Sequence, residues 1–224
     1  MKAETWDDLW RDDKCRKHWI KPEEDFLALI PTLKEERVLR TLDLGCGLGR
    51  HVIVLATEGF ETYAIDSSVT AIEYCQTWMN TAELRATVQH GNMQDLPYPD
   101  GFFDFVLSWN VIYHATRQGM AEILSEIERV LRVGGLLYLT LNSTRNIHCG
   151  GGKEVEPNTF TNSDKADGRH LHHYSDEADV RDLLTRFHIE SIEESEQGPP
   201  DCVIAGSWHW TILARKLIHE SHNL

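Results

Sequence analysis

The stretch Leu42-Asp43-Leu44-Gly45-Cys46-Gly47-Leu48-Gly49-Arg50 decides how this chain is read. An apolar run leads into it and predicts a strand over residues 37–44. Behind it, Val52, Leu55 and Ala56 fall on one helical face, with Gly59 as a stop signal. A strand, a glycine turn and a helix in that order let a ligand approach main-chain N–H groups closely. The glycines stand at 45, 47 and 49, a G-x-G-x-G spacing. A dinucleotide turn reads G-x-G-x-x-G instead, and its third position here is Arg50. Asp43, two residues before the first glycine, suits a cationic ligand and opposes a pyrophosphate.

Outward from the turn, strands and helices alternate. Glu61 to Ile65 predicts a second strand ending at Asp66. Ser67 or Ser68 can cap the next helix, where Ala71, Cys75 and Trp78 recur at helical spacing. Residues 85–90 predict a third strand, and 103–109 a fourth, apolar throughout and so buried on both faces. A helix with Ile123, Ile127, Val130 and Leu131 in register follows. Gly134-Gly135 is expected to end it, and residues 136–141 predict a fifth strand. This alternation is the mark of βαβ units and a parallel sheet. Ligands of such sheets bind beyond the carboxyl ends of the strands, which sets Asp66 beside the glycine turn. A carboxylate there can accept both hydroxyls of a ribose. Dinucleotides and S-adenosylmethionine are the two cofactor classes held in this way.

The flanks are less regular. Residues 5–19 predict an amphipathic helix with Trp6 and Trp10 on one face, either packed on the domain or closing over a pocket as a lid. Pro22 opens a short helical segment, 23–30, that Pro31 is expected to end. Residues 142–174 read as a long polar loop with Gly150-Gly151-Gly152 and four of the twelve histidines. Ser175 is then placed as the cap of a helix buried through Val180, Leu183, Leu184 and Phe187. Residues 188–195 and 206–216 predict two closing strands, joined by a loop that holds Pro199-Pro200.

Composition narrows the function classes. Among 224 residues, acidic ones outnumber basic ones by 36 to 22, a formal net charge of −14. Nucleic-acid phosphates and anionic membranes both require a basic face, so neither is expected as partner. No apolar run is long enough to cross a bilayer, and the first residues lack a signal-peptide core. The five cysteines form no C-x-x-C pair, which fits reduced thiols. The expectation is a cytoplasmic protein, monomer or homodimer, acting on a small molecule.

Together, D-L-G-C-G-L-G-R at 43–50, A-I-D at 64–66, G-N-M-Q-D-L-P-Y-P-D-G-F-F-D-F-V at 91–106 and E-I-E-R-V-L-R-V-G-G at 126–135 resemble class I S-adenosylmethionine-dependent methyltransferases. The stretch G-R-H-V-I-V-L-A-T-E-G-F at 49–60 is similar to the small-molecule branch that includes the tellurite-resistance methyltransferases. The resemblance implies an α/β, Rossmann-like methyltransferase fold: a seven-stranded, mostly parallel sheet with an antiparallel last strand and an N-terminal helical lid. It implies one domain over 1–224, with a lid at 1–36, a cofactor-binding core at 37–143, a substrate-side insertion at 144–174 and a closing helix and strands at 175–224. It implies S-adenosyl-L-methionine as cofactor, with Asp43, Gly45, Cys46, Gly47 and Gly49 flanking its methionine part. Asp66 and Ser67 would hold the ribose, Asn92 and Met93 the adenine, and Trp109 and Asn110 the edge of the methyl group. Val133 departs from the family's usual proline, and Asn92 from its usual aspartate.

Methyl transfer is an in-line displacement, so positioning carries much of the work, and a base matters only where the acceptor must lose a proton. Tyr113 and His114, after strand four, are the candidate catalytic residues. Asn142, Arg145 and His148 follow strand five, and His170, His172, His173 and Tyr174 precede the Ser175 helix. Of these, Arg145, His172 and His173 are taken as substrate-binding. The histidine spacing matches no zinc ligand pattern, so no metal is assigned. The rival readings are a non-catalytic S-adenosylmethionine-binding protein and an NAD-dependent oxidoreductase.

Overall fold

The computed structural model describes residues 6–161, 171–198 and 204–218. From the amino end, α1 (Trp6–Arg11), α2 (Asp13–His18) and α3 (Glu24–Glu35) precede β1 (Arg40–Leu44). The core continues through α4 (Arg50–Thr57), β2 (Glu61–Asp66), α5 (Val69–Thr81), β3 (Thr87–His90), β4 (Phe103–Ser108), α6 (Arg117–Val130) and β5 (Leu131–Ser143). Then come β6 (Lys153–Glu156), β7 (Thr159–Thr161), β8 (Leu171–Ser175), α7 (Glu177–Leu183), β9 (Phe187–Glu196) and β10 (Trp208–Lys216). His170 and the Pro199-Pro200 pair lie outside the described residues.

The main sheet runs β3-β2-β1-β4-β5-β10-β9. Its first five strands are parallel, and β10 lies antiparallel to both β5 and β9. The predicted seven strands with an antiparallel last one are therefore present. Apolar side chains fill both faces. Leu42, Leu44, Val106, Leu137 and Leu139 pack with Ile123, Leu124 and Ile127 of α6 on one side. Phe105, Leu107 and Leu136 meet Phe26 and Leu33 of α3 and Leu55 of α4 on the other. Burying each such side chain is worth about 1.5–3 kcal/mol, enough to set the register of every central strand.

Four local expectations are corrected. The 142–174 stretch is not one loop: β8 pairs with the far end of β5 (Asn142 with Tyr174, Ser143 with Ser175), and β7 and β6 follow it antiparallel. Its buried positions carry Thr159, His172, His173 and Ser175 beside Phe160 and Tyr174, so no apolar alternation marks them in the sequence. Helix α3 continues through Pro31, which sits on its solvent side while Ile30 and Leu33 stay buried. Helix α6 stops at Val130, and Gly134-Gly135 form an irregularity inside β5, between the pairs Phe103–Leu131 and Phe105–Leu136. A Cβ at Gly135 would press on the Asp104 carbonyl oxygen at 3.1 Å, so the two strands can only approach there without a side chain. Finally, Asp176 caps α7 by accepting the Asp179 N–H, while Ser175 ends β8.

The amino-terminal stretch forms two short helices rather than one. Asp7 of α1 accepts the Ser68 hydroxyl at 2.5 Å and the Thr70 N–H at 3.0 Å, pinning α1 to the start of α5. Ser68, one of the two expected caps, itself accepts the Ala71 N–H. Among the described residues, no helix is long and apolar enough to cross a membrane.

Candidate active site

Strand order reverses between β1 and β4, and the carboxyl ends of β1, β2 and β4 open there into a cavity of about 450 Å³. The glycine turn forms its floor. Gly45 and Cys46 both donate their N–H groups to the Ile65 carbonyl, at 2.8 and 3.1 Å, so β2 fixes the path of the turn. Gly49 caps α4 in the left-handed region, φ 91°, where an added Cβ would overlap the Cys75 sulfur. That overlap explains a glycine at a position that does not itself line the cavity.

Two carboxylates face this space. Asp66 accepts the Gly47 N–H and the Ser68 N–H, each at 2.8 Å. Burial raises its pKa, and those two donors oppose the rise. Asp43 is 2% exposed, and its Oδ2 has no hydrogen-bond partner among the described residues. Burial pushes its pKa up to about 7; the Arg50 charge counters this and the neighbouring Asp66 adds to it. A buried carboxylate oxygen left without a donor is costly, and a cationic ligand would supply what it lacks.

Arg50 and His51, at the start of α4, complete the floor, and neither was singled out from the sequence. Arg50 donates to Glu23 Oε1 at 2.6 Å and to the Lys21 carbonyl, with its guanidinium 5.2 Å from the Trp19 ring centroid. His51 Nε2 accepts the Glu23 N–H at 3.4 Å, and its ring packs on Phe26 and Trp109. Burial first, then the Arg50 charge, drives its pKa well below the usual histidine range, so the ring is neutral. The sequence signal was a pair of polar residues at the start of an otherwise apolar helix.

The walls come from β4 and α1. Asn110 holds a left-handed backbone, φ 60°. Its N–H donates to Thr140 Oγ1 at 2.8 Å, and that hydroxyl returns a bond to Asn110 Oδ1 at 2.9 Å. This exchange holds Trp109 and Asn110 at the rim. Tyr113 and His114 follow, with ring centroids 4.6 Å apart, and Trp6 stands edge-on to His114 at 4.8 Å. Trp10 closes over the turn: a Cβ at Gly47 would meet its ring at 3.3 Å. Burial raises the Tyr113 pKa, which keeps its hydroxyl protonated.

Of the residues proposed from the sequence, Asp43, Gly45, Cys46, Gly47, Asp66, Ser67, Met93, Trp109, Asn110, Tyr113 and His114 line the cavity. Asn92 does not; its Oδ1 accepts the Gln94 N–H in the turn after β3. Arg145 also lies elsewhere, stacked 3.5 Å over Trp208 and paired with Glu194 at 2.8 Å. His172 stands behind the wall, 4.6 Å from the His114 ring. His173 is 2% exposed, with Nδ1 on the Thr159 hydroxyl at 2.7 Å and Nε2 on Asp179 at 2.9 Å. Its main-chain N–H donates to the Tyr113 carbonyl at 2.9 Å, so it braces the wall rather than facing the cavity.

A turn with little room for side chains, two acids at adjacent strand ends and an aromatic roof line one cavity. Comparison with known proteins adds the following. Residues 42–139 match the family described as "Methyltransferase domain". An uncharacterized methyltransferase of Synechocystis is 32% identical over 100 residues, 45% of each chain. A probable S-adenosylmethionine-dependent methyltransferase of Mycolicibacterium smegmatis is 30% identical over 119 residues, 53% of this chain and 43% of the relative. The matched segment thus spans less than half the length of either relative. The crystal structure of a SAM-dependent methyltransferase from Methanosarcina mazei superposes with a TM-score of 0.68, at 24% identity, over 80% of this chain and 92% of that one. The fold is the Rossmann-like fold seen in methyltransferases, and the segment that matches the family, 42–139, supplies most of the cavity's lining, with Trp6, Leu9, Trp10 and Trp19 added from the amino-terminal helices and the turn after them.

Proposed function

We propose that the protein is an S-adenosylmethionine-dependent methyltransferase acting on a small-molecule acceptor. The observation that carries this is the buried Asp43 carboxylate, its Oδ2 without a donor, beside the G-x-G-x-G turn. Bound there, S-adenosylmethionine supplies an electrophilic methyl group on a sulfonium centre. Asp43 would meet the ammonium of the amino-acid end beside the turn, Asp66 and Ser67 would hold the ribose, and Met93 the adenine. Trp109 and Asn110 border the reacting centre. His114, with Tyr113 beside it, orients the acceptor or takes its proton. Of the expected lid over residues 1–36, α1 and Trp19 would cover the site, with Trp6 and Trp10 keeping water out, while α3 belongs to the core.

A small acceptor is supported by the size of the cavity, about 450 Å³, and by the acidic balance of the chain, net charge −14. The 49–60 stretch favours a small-molecule branch of the family. The test is transfer of isotopic methyl from labelled S-adenosylmethionine to a metabolite extract, alongside calorimetry with S-adenosylmethionine, S-adenosylhomocysteine and NAD. Label in the low-mass fraction is expected. Binding without transfer would favour a non-catalytic S-adenosylmethionine-binding protein, and binding of NAD alone an oxidoreductase.

A further inference from the structure

The lining of the cavity is strongly aromatic: Trp6, Trp10, Trp19, Trp109, Tyr113 and His114 all contribute rings to it. Arg50 is the sole lysine or arginine among the described residues that line the cavity. That cation is already committed: it is paired with Glu23 at 2.6 Å, its side chain is 8% exposed, and Trp19 covers its face. The carboxylates of Asp43 and Asp66 add negative charge to the same space. Among the described residues no uncommitted lysine or arginine stands there to receive an anionic acceptor that sheds its water, which is costly. A flat ring loses nothing by that transfer and gains contact with aromatic faces and edges.

Resting on the methyltransferase reading, we propose that the acceptor subsite takes a flat, uncharged aromatic molecule. Trp6, Trp19 and Tyr113 supply its contact surface, and His114 meets its polar atom. Carboxylates, phosphates and inorganic oxyanions are excluded as acceptors. Selection is by ring contact and by the absence of an available cation.

The test uses the full chain saturated with S-adenosylhomocysteine and three probes of matched size: phenol, benzoate and cyclohexanol. Binding is read by calorimetry and by tryptophan fluorescence. Phenol is expected to bind at least ~10-fold more tightly than benzoate, which carries the buried charge. It is expected to exceed cyclohexanol by about 3-fold or more, the margin of ring–ring contact, and Trp6→Ala should erase that margin. Benzoate binding as tightly as phenol, cyclohexanol matching phenol, or no phenol binding while S-adenosylhomocysteine binds would each overturn the proposal. Failure of S-adenosylhomocysteine itself to bind would instead remove the methyltransferase reading on which the proposal stands.

Discussion

The carboxylate of Asp66 receives the main-chain N–H of Gly47 at 2.8 Å, so the end of β2 holds the middle of the glycine turn. Its other oxygen takes the Ser68 N–H at the same distance. Asp66→Ala would strand both donors, and a buried donor left unmade costs about 1–3 kcal/mol. Thermal unfolding should show that loss. Calorimetry should show S-adenosylhomocysteine affinity falling by ~10-fold or more, the scale of a lost charge-assisted hydrogen bond. Asp66→Asn keeps a single acceptor and should fall between the two. Unchanged affinity in both variants would remove Asp66 from the ligand site.

Asp43 makes ligand binding pH-dependent. Its pKa in the free protein is about 7, and a cationic ligand favours the ionised carboxylate. Binding near neutrality should therefore expel a proton, and affinity should climb as pH rises through about 7. Titrations in buffers of different ionisation heat count that proton. Stability of the free protein runs the other way: the folded-state pKa lies above the unfolded value, so stability is fully present below the unfolded pKa and is lost as pH rises through about 7. Asp43→Asn should flatten that loss and abolish the proton release.

Asp7 pins α1 through the Ser68 hydroxyl and the Thr70 N–H. No side chain of α1 is fully buried, so the pin carries much of its attachment. Asp7→Ala should lower the global melting temperature only modestly, because a partly buried hydrogen bond of this kind is worth about 0.5–1.5 kcal/mol net. Stopped-flow tryptophan fluorescence should show faster release of S-adenosylhomocysteine. An unaltered release rate would mean that α1 does not gate the cavity.

Much of this was legible in residues 42–106. The Ser68 cap is a local device, set three positions on, and the glycine turn and Asp66 are each marked by their own strand-end residues although they meet across 19 positions. The Arg50–Glu23 pair joins residues 27 positions apart, and Asp7 reaches 61 positions to Ser68. Such contacts leave no periodic trace in a single sequence. The β6–β8 unit escaped for another reason: Thr159 and His173 sit at buried positions because they bond each other, which an apolar pattern cannot reveal.

That unit offers a further test. Asp179 accepts His173 Nε2, the Ser175 hydroxyl and Arg117, which together outweigh burial and hold its pKa down to about 2. Because the folded-state value lies below the unfolded one, its contribution is present above the unfolded pKa and is lost as pH falls through about 2. Asp179→Asn should lower stability at neutral pH by about 1–3 kcal/mol and flatten the acid limb of the unfolding curve. Urea denaturation across that range provides the measurement.

The His173 N–H that meets the Tyr113 carbonyl ties two parts of the chain with different obligations. The donor side rests on β1, β2 and α4, where an added methyl on a turn glycine has no room. The wall at Tyr113 and His114, which follows β4, is braced by a three-stranded attachment that touches the main sheet through two residue pairs at the end of β5. On the proposed reading, exchanging residues 144–174 for a different insertion should change the support behind Tyr113 and His114 and leave the glycine turn on β1, β2 and α4 as it is.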